Sequence, residues 1–247
     1  MTNGVRQILR FNWPFYAAAA CVTVTLPALE RHGVMAGFRP LVYAGVACAL
    51  AWTVSSLAAS WIVYDVSSLT RWTWVPGAIG FAPRTWVNVH ASLDQSTPTL
   101  RSMFGASNGR VFDIFDPIEM TEPSIVRARR LARNAVAAER VDFRHLPAAA
   151  GSVDAMFLFL AAHELRTDRA RETFFSELHR VLAADGRVVV AEHLRDLANL
   201  AAYGPGFLHF HSRRTWRRCF ERSGFVTDRE FSITPFVQVF VLRRLSG

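Results

Sequence analysis

A chain of 247 residues can hold one domain of ordinary size plus an appendage of about 70 residues. Its 28 basic residues are all arginine and the net charge is +8, yet no helix-turn-helix, zinc-finger or RNA-binding signature accompanies them, which argues against nucleic acid as a partner. Cys21, Cys48 and Cys219 form no CxxC pair, so neither a disulfide framework nor a cysteine–zinc site is expected.

Residues 1–10 read as a short basic leader carrying Arg6 and Arg10. Two uncharged runs follow, Phe11–Leu29 over 19 positions and Leu41–Tyr64 over 24. About 20 apolar residues cross a bilayer as a helix, so helices near 11–30 and 40–66 predict a transmembrane hairpin within residues 1–66. Arg6 and Arg10 precede the first run and Arg71 and Arg84 follow the second, which sets both ends in the cytoplasm. The expected location is the inner cell membrane, with the lipid bilayer as partner and anionic headgroups attracting the arginines. Residues 67–84 form a linker whose Trp72 and Trp74 suit either headgroup depth or packing onto the next domain.

From residue 85 to 247 the pattern changes to short β-branched runs alternating with arginine-rich helices. The expected elements are strand 85–90, helix 98–104, a turn at Asn108-Gly109, strand 110–115 and helix 123–138. There follow strand 140–144, strand 154–161, helix 168–184 closed by Gly186, strand 187–192, helix 213–223 and strands 225–233 and 236–243. Such alternation predicts an α/β fold with a mostly parallel sheet covered on both faces, and the last two strands pair antiparallel. In these sheets ligands bind beyond the carboxyl ends of the strands.

The stretches VDFRHLPAAAGSVDAMFLFLAAHEL (141–165) and ELHRVLAADGRVVVAEH (177–193), with the paired strands around Ile233–Phe236, resemble the class I S-adenosylmethionine-dependent methyltransferases. The resemblance spans about residues 85–244 and implies a Rossmann-like methyltransferase domain using S-adenosylmethionine. By it, Asp116, with Asp113 second, takes the ribose hydroxyls, and Asp142 and Phe143 take the adenine. The first-strand motif falls on Asn88, His90, Ser92 and Asp94, where the family's glycines are missing.

His163 and Glu164 follow the fourth strand on the side implied for the methyl acceptor. A histidine titrates near neutrality, so His163 is the candidate general base. The loop from Tyr203 to His211 carries two glycines, a proline, aromatics and His209 and His211; Tyr203, His209 and His211 are candidate acceptor contacts. A metal site built from His163, His193, His209 and His211 is the less favoured alternative, because no close ligand motif is present. The expectation is a membrane-anchored methyltransferase acting on a small apolar or lipid-borne acceptor, quinone- or phenol-like. The alternative is a non-catalytic membrane protein that keeps the fold for ligand or partner binding. Neither the acceptor atom nor the oligomeric state is legible in the sequence.

Overall fold

The computed structural model describes residues 3–105, 107–131 and 137–245. Seven strands form one sheet: β1 Thr85–His90, β2 Asn108–Asp113, β3 Glu139–Arg140, β4 Val153–Phe159, β5 Leu182–His193, β6 Phe225–Thr234 and β7 Val237–Arg244. Their spatial order is β3-β2-β1-β4-β5-β7-β6. β7 runs antiparallel to both β5 and β6, and the other pairings are parallel. The chain steps outward from β1 to β3, then returns to β4 on the other side of β1, so the strand order reverses between β1 and β4. That reversal opens a crevice at the carboxyl ends of these two strands.

Alternation along the strands divides the core in two. Val87, Val89, Met156, Leu158, Val188 and Val190 face one way, toward α5 (Pro123–Leu131), α6 (Asp168–Val181) and α8 (Arg213–Arg222). Phe174, Phe175, Trp216 and Phe220 fill that layer. Trp86, Ala155, Phe157, Val189 and Val239 face the other way, under α3 (Val75–Ile79), Leu100 of α4 (Thr97–Met103) and the segment carrying Val63, Leu69 and Trp72. Side-chain caps fix the helix starts: Thr167 accepts from the Ala170 amide and Ser212 from the Thr215 amide.

Several boundaries differ from the sequence expectation. Asn108-Gly109 belongs to β2 and is not a turn; a Cβ at Gly109 would overlap the Trp86 ring, which crosses the strand there. Only Glu139–Arg140 pairs with β2, while Asp142 and His145 form an isolated bridge in the turn beyond. The helix expected to reach 138 is described to Leu131, and residues 132–136 lie outside the described residues. α6 stops at Val181, and Leu182 already begins β5.

The N-terminal part is a helical pair, α1 (Asn3–Arg31) and α2 (Arg39–Trp61), and α2 continues through a π turn at Ile62–Val66. The basic leader is therefore helical, and α1 is interrupted at Asn12, two residues before Pro14. Asp65 accepts from the Gly4 and Val5 amides and so caps α1 from the far end of α2. Among the described residues, one helical stretch, Arg39–Arg71, is long and apolar enough to cross a membrane, with mean hydropathy 1.7. The linker does not hang free. Trp72 is 4% exposed and stacks on Phe159 at 4.5 Å, with Trp74 edge-on to the same ring. The headgroup-depth expectation for Trp72 gives way to packing on the sheet.

Candidate functional site

A cavity of about 770 Å³ lies beyond the ends of β1 and β4. At the β1 end, Asn88 is 1% exposed and its Nδ2 lies 2.8–3.1 Å from Thr97 Oγ1, Ser96 Oγ and Asp94 Oδ1. Asp94 Oδ1 also accepts from the Ser96 and Thr97 amides and so opens α4. This network does the work of the missing glycine loop: it pins the turn after β1 through side chains. Asn88 Oδ1, Asp94 Oδ2 and both His90 nitrogens remain buried without partners, and burial lowers the His90 pKa. Buried polar atoms are normally satisfied, so a set of orphaned acceptors facing a cavity fits a cationic ligand group. Asn88, His90, Ser92 and Asp94 all line the cavity.

The next strand end belongs to Asp113, opposite His90 in the β1–β2 register. Arg129 pairs with both its oxygens at 2.8 and 2.7 Å and also donates to the Ala91 carbonyl. Asp116 lies three residues further on, where the Arg144 guanidinium at 2.7 Å holds its carboxyl below the usual range. Arg144 also reaches Asp142 at 3.3 Å and covers the Phe143 ring at 4.1 Å, and Phe143 itself is 1% exposed. Asp116, Asp142 and Phe143 are thus gathered in one corner, but none of them lines the cavity.

On the other side, β4 ends in a residue with positive φ, Leu160 at 53°, and a 3₁₀ turn at Ala162–Glu164. The turn is held by Glu192, the fully buried acid near the end of β5. Glu192 Oε1 accepts from the Ala162 and His163 amides, and Oε2 lies 2.7 Å from His163 Nδ1. Burial opposes charge on His163, but the Glu192 carboxylate outweighs it and raises the imidazole pKa to about 9. His163 Nε2 points to Glu164 Oε1 at 3.6 Å, and burial raises the Glu164 carboxyl.

α7 (Leu197–Tyr203) and the 3₁₀ turn Gly204–His209 close this end. Tyr203 and His209 line the cavity. The His209 ring stands edge-on to His163 at 5.1 Å, and burial together with the His163 charge pushes its pKa down to about 2. His211 does not line the cavity. Its Nε2 accepts from Arg171 at 2.9 Å, its ring stands edge-on to Trp216, and it ties α6 to α8. His193 has its nitrogens taken by the Phe236 carbonyl at 2.8 Å and the Tyr64 hydroxyl at 3.0 Å. Arg166 joins the two loops by donating to the carbonyls of His163 and His209.

The last wall comes from the N-terminal helices. Tyr16 of α1, Trp52, Ser56 and Ser60 of α2, and Tyr64 beyond it face the cavity. Gly204, at φ +54°, meets Trp52 so closely that a Cβ there would lie 2.7 Å from the indole. Glu192, Asp113 with Arg129, Arg166 and these helix residues complete the candidate site. Asp113 and Glu192 were visible in the sequence as strand-end acids; the helix residues carried no signal beyond apolarity.

Residues 105–190 match a family model described as a methyltransferase domain. The chain carries a class I S-adenosylmethionine-dependent methyltransferase domain. Solved structures of similar fold include a SAM-dependent methyltransferase from Aquifex aeolicus, at TM-score 0.53 and 18% identity over 73% of this chain and 92% of that one. Geranyl diphosphate C-methyltransferase from Streptomyces coelicolor A3(2) aligns at 0.51 and 17%, over 70% and 78%. The pyocyanin biosynthetic protein PhzM aligns at 0.56 and 18%, over 98% of this chain and 74% of that one, so that alignment takes in the N-terminal helices of the methyltransferase. No curated protein sequence matches the chain.

Proposed function

We propose that this methyltransferase methylates an oxygen of a small apolar or lipid-borne acceptor, quinone- or phenol-like, at the cytoplasmic face of the inner membrane, with α1 and α2 as its anchor. One observation carries the reading. A single cavity has the His163–Glu192 pair at one end and the apolar faces of α1 and α2 as a wall. The outer faces of the same helices expose Val24, Leu41 and Val54 at 67–70%, which water disfavours and lipid accepts.

S-adenosylmethionine supplies an electrophilic methyl on a cationic sulfur. Asn88 Oδ1 and Asp94 Oδ2 are the acceptors for its ammonium group, and Asp113 is the acid nearest the β2 end for its ribose. On the acceptor side, neutral His163 takes the hydroxyl proton at Nε2 while Glu192 holds Nδ1–H. Glu192 then stabilises the imidazolium that forms, and the enclosed walls exclude water. General-base help of this kind contributes about 10²–10⁴ in rate.

The test uses the full-length protein in lipid vesicles with methyl-tritiated donor and a matched pair of phenols, one prenylated and one water-soluble. Label in the prenylated phenol that falls by about 10²-fold or more in His163→Ala supports the reading. Label confined to the water-soluble phenol, or release of the protein from membranes by alkaline carbonate, overturns it.

A further inference from the structure

His163, Glu164 and His209 each offer one donor atom to the same region, and the three atoms lie within 4.8 Å of one another. Two come from the turn after β4 and the third from the turn after α7. Glu164 is 8% exposed, and its Oε2 is buried with no hydrogen-bond partner. We propose that these three residues bind a divalent transition-metal ion, such as Zn²⁺, on the acceptor side of the cavity.

Two imidazoles and a carboxylate are a donor set that such ions favour over Mg²⁺ or Ca²⁺. The outer shell is already in place. Glu192 accepts from His163 Nδ1–H, which leaves Nε2, beside Glu164, as the nitrogen that an ion would take in place of its proton. Zinc bonds of about 2.0–2.2 Å hold donor atoms roughly 3–3.5 Å apart. His163 and Glu164 already meet that spacing within about a tenth of an ångström, at 3.6 Å. His209 has at most about 1–2 Å to close, and it ends a turn that contains Gly204 and Gly206. Arg166 keeps the two turns together through backbone carbonyls, and its charge is faced by Glu122 at 4.0 Å. Glu122 Oε1 is also 3.5 Å from His209 Nδ1, a second outer carboxylate.

His193 and His211 stay outside the set because their ring nitrogens serve Phe236, Tyr64 and Arg171. An ion held by three protein atoms keeps open positions toward the cavity, which all three residues line. It also takes the Nε2 that a base needs, so the ion-bound and base-competent forms are alternative states of one site. Ion binding requires this geometry only and is independent of the acceptor.

The experiment strips the tag-free, full-length protein with chelator, dialyses it against Co²⁺, and reads both bound cobalt and its visible d–d absorption. One ion per chain with that absorption is expected, and uptake should fall tenfold or more in Glu164→Gln and in His209→Ala. His32→Ala, on the exposed turn between α1 and α2, should leave uptake unchanged. Thermal melting and titration with S-adenosylhomocysteine show that the variants stay folded. Absence of stoichiometric uptake by the parent protein, or equal uptake in Glu164→Gln and His209→Ala, overturns the site. Neither result bears on whether the protein methylates a phenol.

Discussion

Replacing Glu192 by glutamine should change the charge state of His163 while preserving the shape of the site. Glu192 is fully buried, and its three hydrogen bonds all serve the Ala162–His163 turn. Its charge and hydrogen bond raise the His163 pKa from 6.5 to about 9 against the opposing effect of burial. At 1.36 kcal/mol per tenfold, that difference is a preference of about 3 kcal/mol for the imidazolium. Because the folded-state value is raised, the stabilisation is fully present below pH ~6.5 and is lost as pH rises through about 9. The parent should therefore lose up to about 3 kcal/mol of folding stability between these limits, and Glu192→Gln should lack that window. In the variant, burial is opposed by the weaker attraction of Glu164, and the His163 midpoint should fall well below the parent's. A ¹³C-histidine NMR titration, with the His163 signal assigned from His163→Gln, reads the midpoint directly; melting at pH 6.5, 7.5 and 9 reads the linkage. Equal His163 midpoints in parent and variant would refute the assignment of Glu192 as the group that charges His163. For catalysis the sign reverses: the neutral base accumulates with rising pH, so the parent's rate should climb toward pH 9 and the variant's rise should come at lower pH.

Asp113→Asn should weaken S-adenosylhomocysteine binding by about 1–3 kcal/mol in calorimetric titration, and Asp116→Ala by less, because Asp113 ends β2 opposite the cavity-lining His90 and Asp116 lies three residues beyond. The reverse ranking would move the ribose to the Arg144 corner. Trp72→Ala should destabilise the fold by about 3–5 kcal/mol in denaturant unfolding, since it removes a buried ring stacked on Phe159. Deleting residues 1–80 uncovers the sheet face of Trp86, Phe157 and Val239 and should yield aggregated material on size-exclusion chromatography; a soluble, monomeric fragment with a cooperative melt would refute that packing.

The methyltransferase half was legible because its signals are local and redundant. Asp154–Ala161 and Arg187–Glu192 are apolar enough to be buried on both faces, and each is a central strand in the structure. Asn108-Gly109 misled because the same pair that favours a hairpin turn also allows a large ring to cross a strand, and Trp86 lies 22 positions upstream of Asn108. The ribose acid illustrates a finer limit. Asp113 and Asp116 sit three residues apart, and the register of β2 against β1 sets Asp113, the second choice from sequence, opposite His90. Register depends on the partner strand, which a single strand's pattern does not contain. The same holds for the histidines. His209 and His211 alternate in sequence and so were grouped on one face, but the chain leaves the 3₁₀ turn at His209 and pairs with Leu194 at His211. One faces the cavity and the other braces two helices.

The role of the N-terminal helices was less legible than their extent. A long uncharged run says that water is a poor neighbour; it does not say whether lipid or protein replaces the water. In the structure both kinds of surface occur on one pair of helices. Val24 and Val54 point outward, Trp52 packs on Gly204, and Ser60 and Tyr64 turn inward with hydroxyls that an unbroken lipid-facing span does not need. Those hydroxyls are the telling residues. Tyr16 and Ser56 hydrogen-bond to each other at 3.1 Å and so tie α1 to α2, and Tyr64 bonds to His193 at 3.0 Å and so ties the helices to the end of β5, all along the cavity wall. Under the proposed function, anchor and active-site wall would be the same element, with the acceptor placed between these helices and the sheet, against His163.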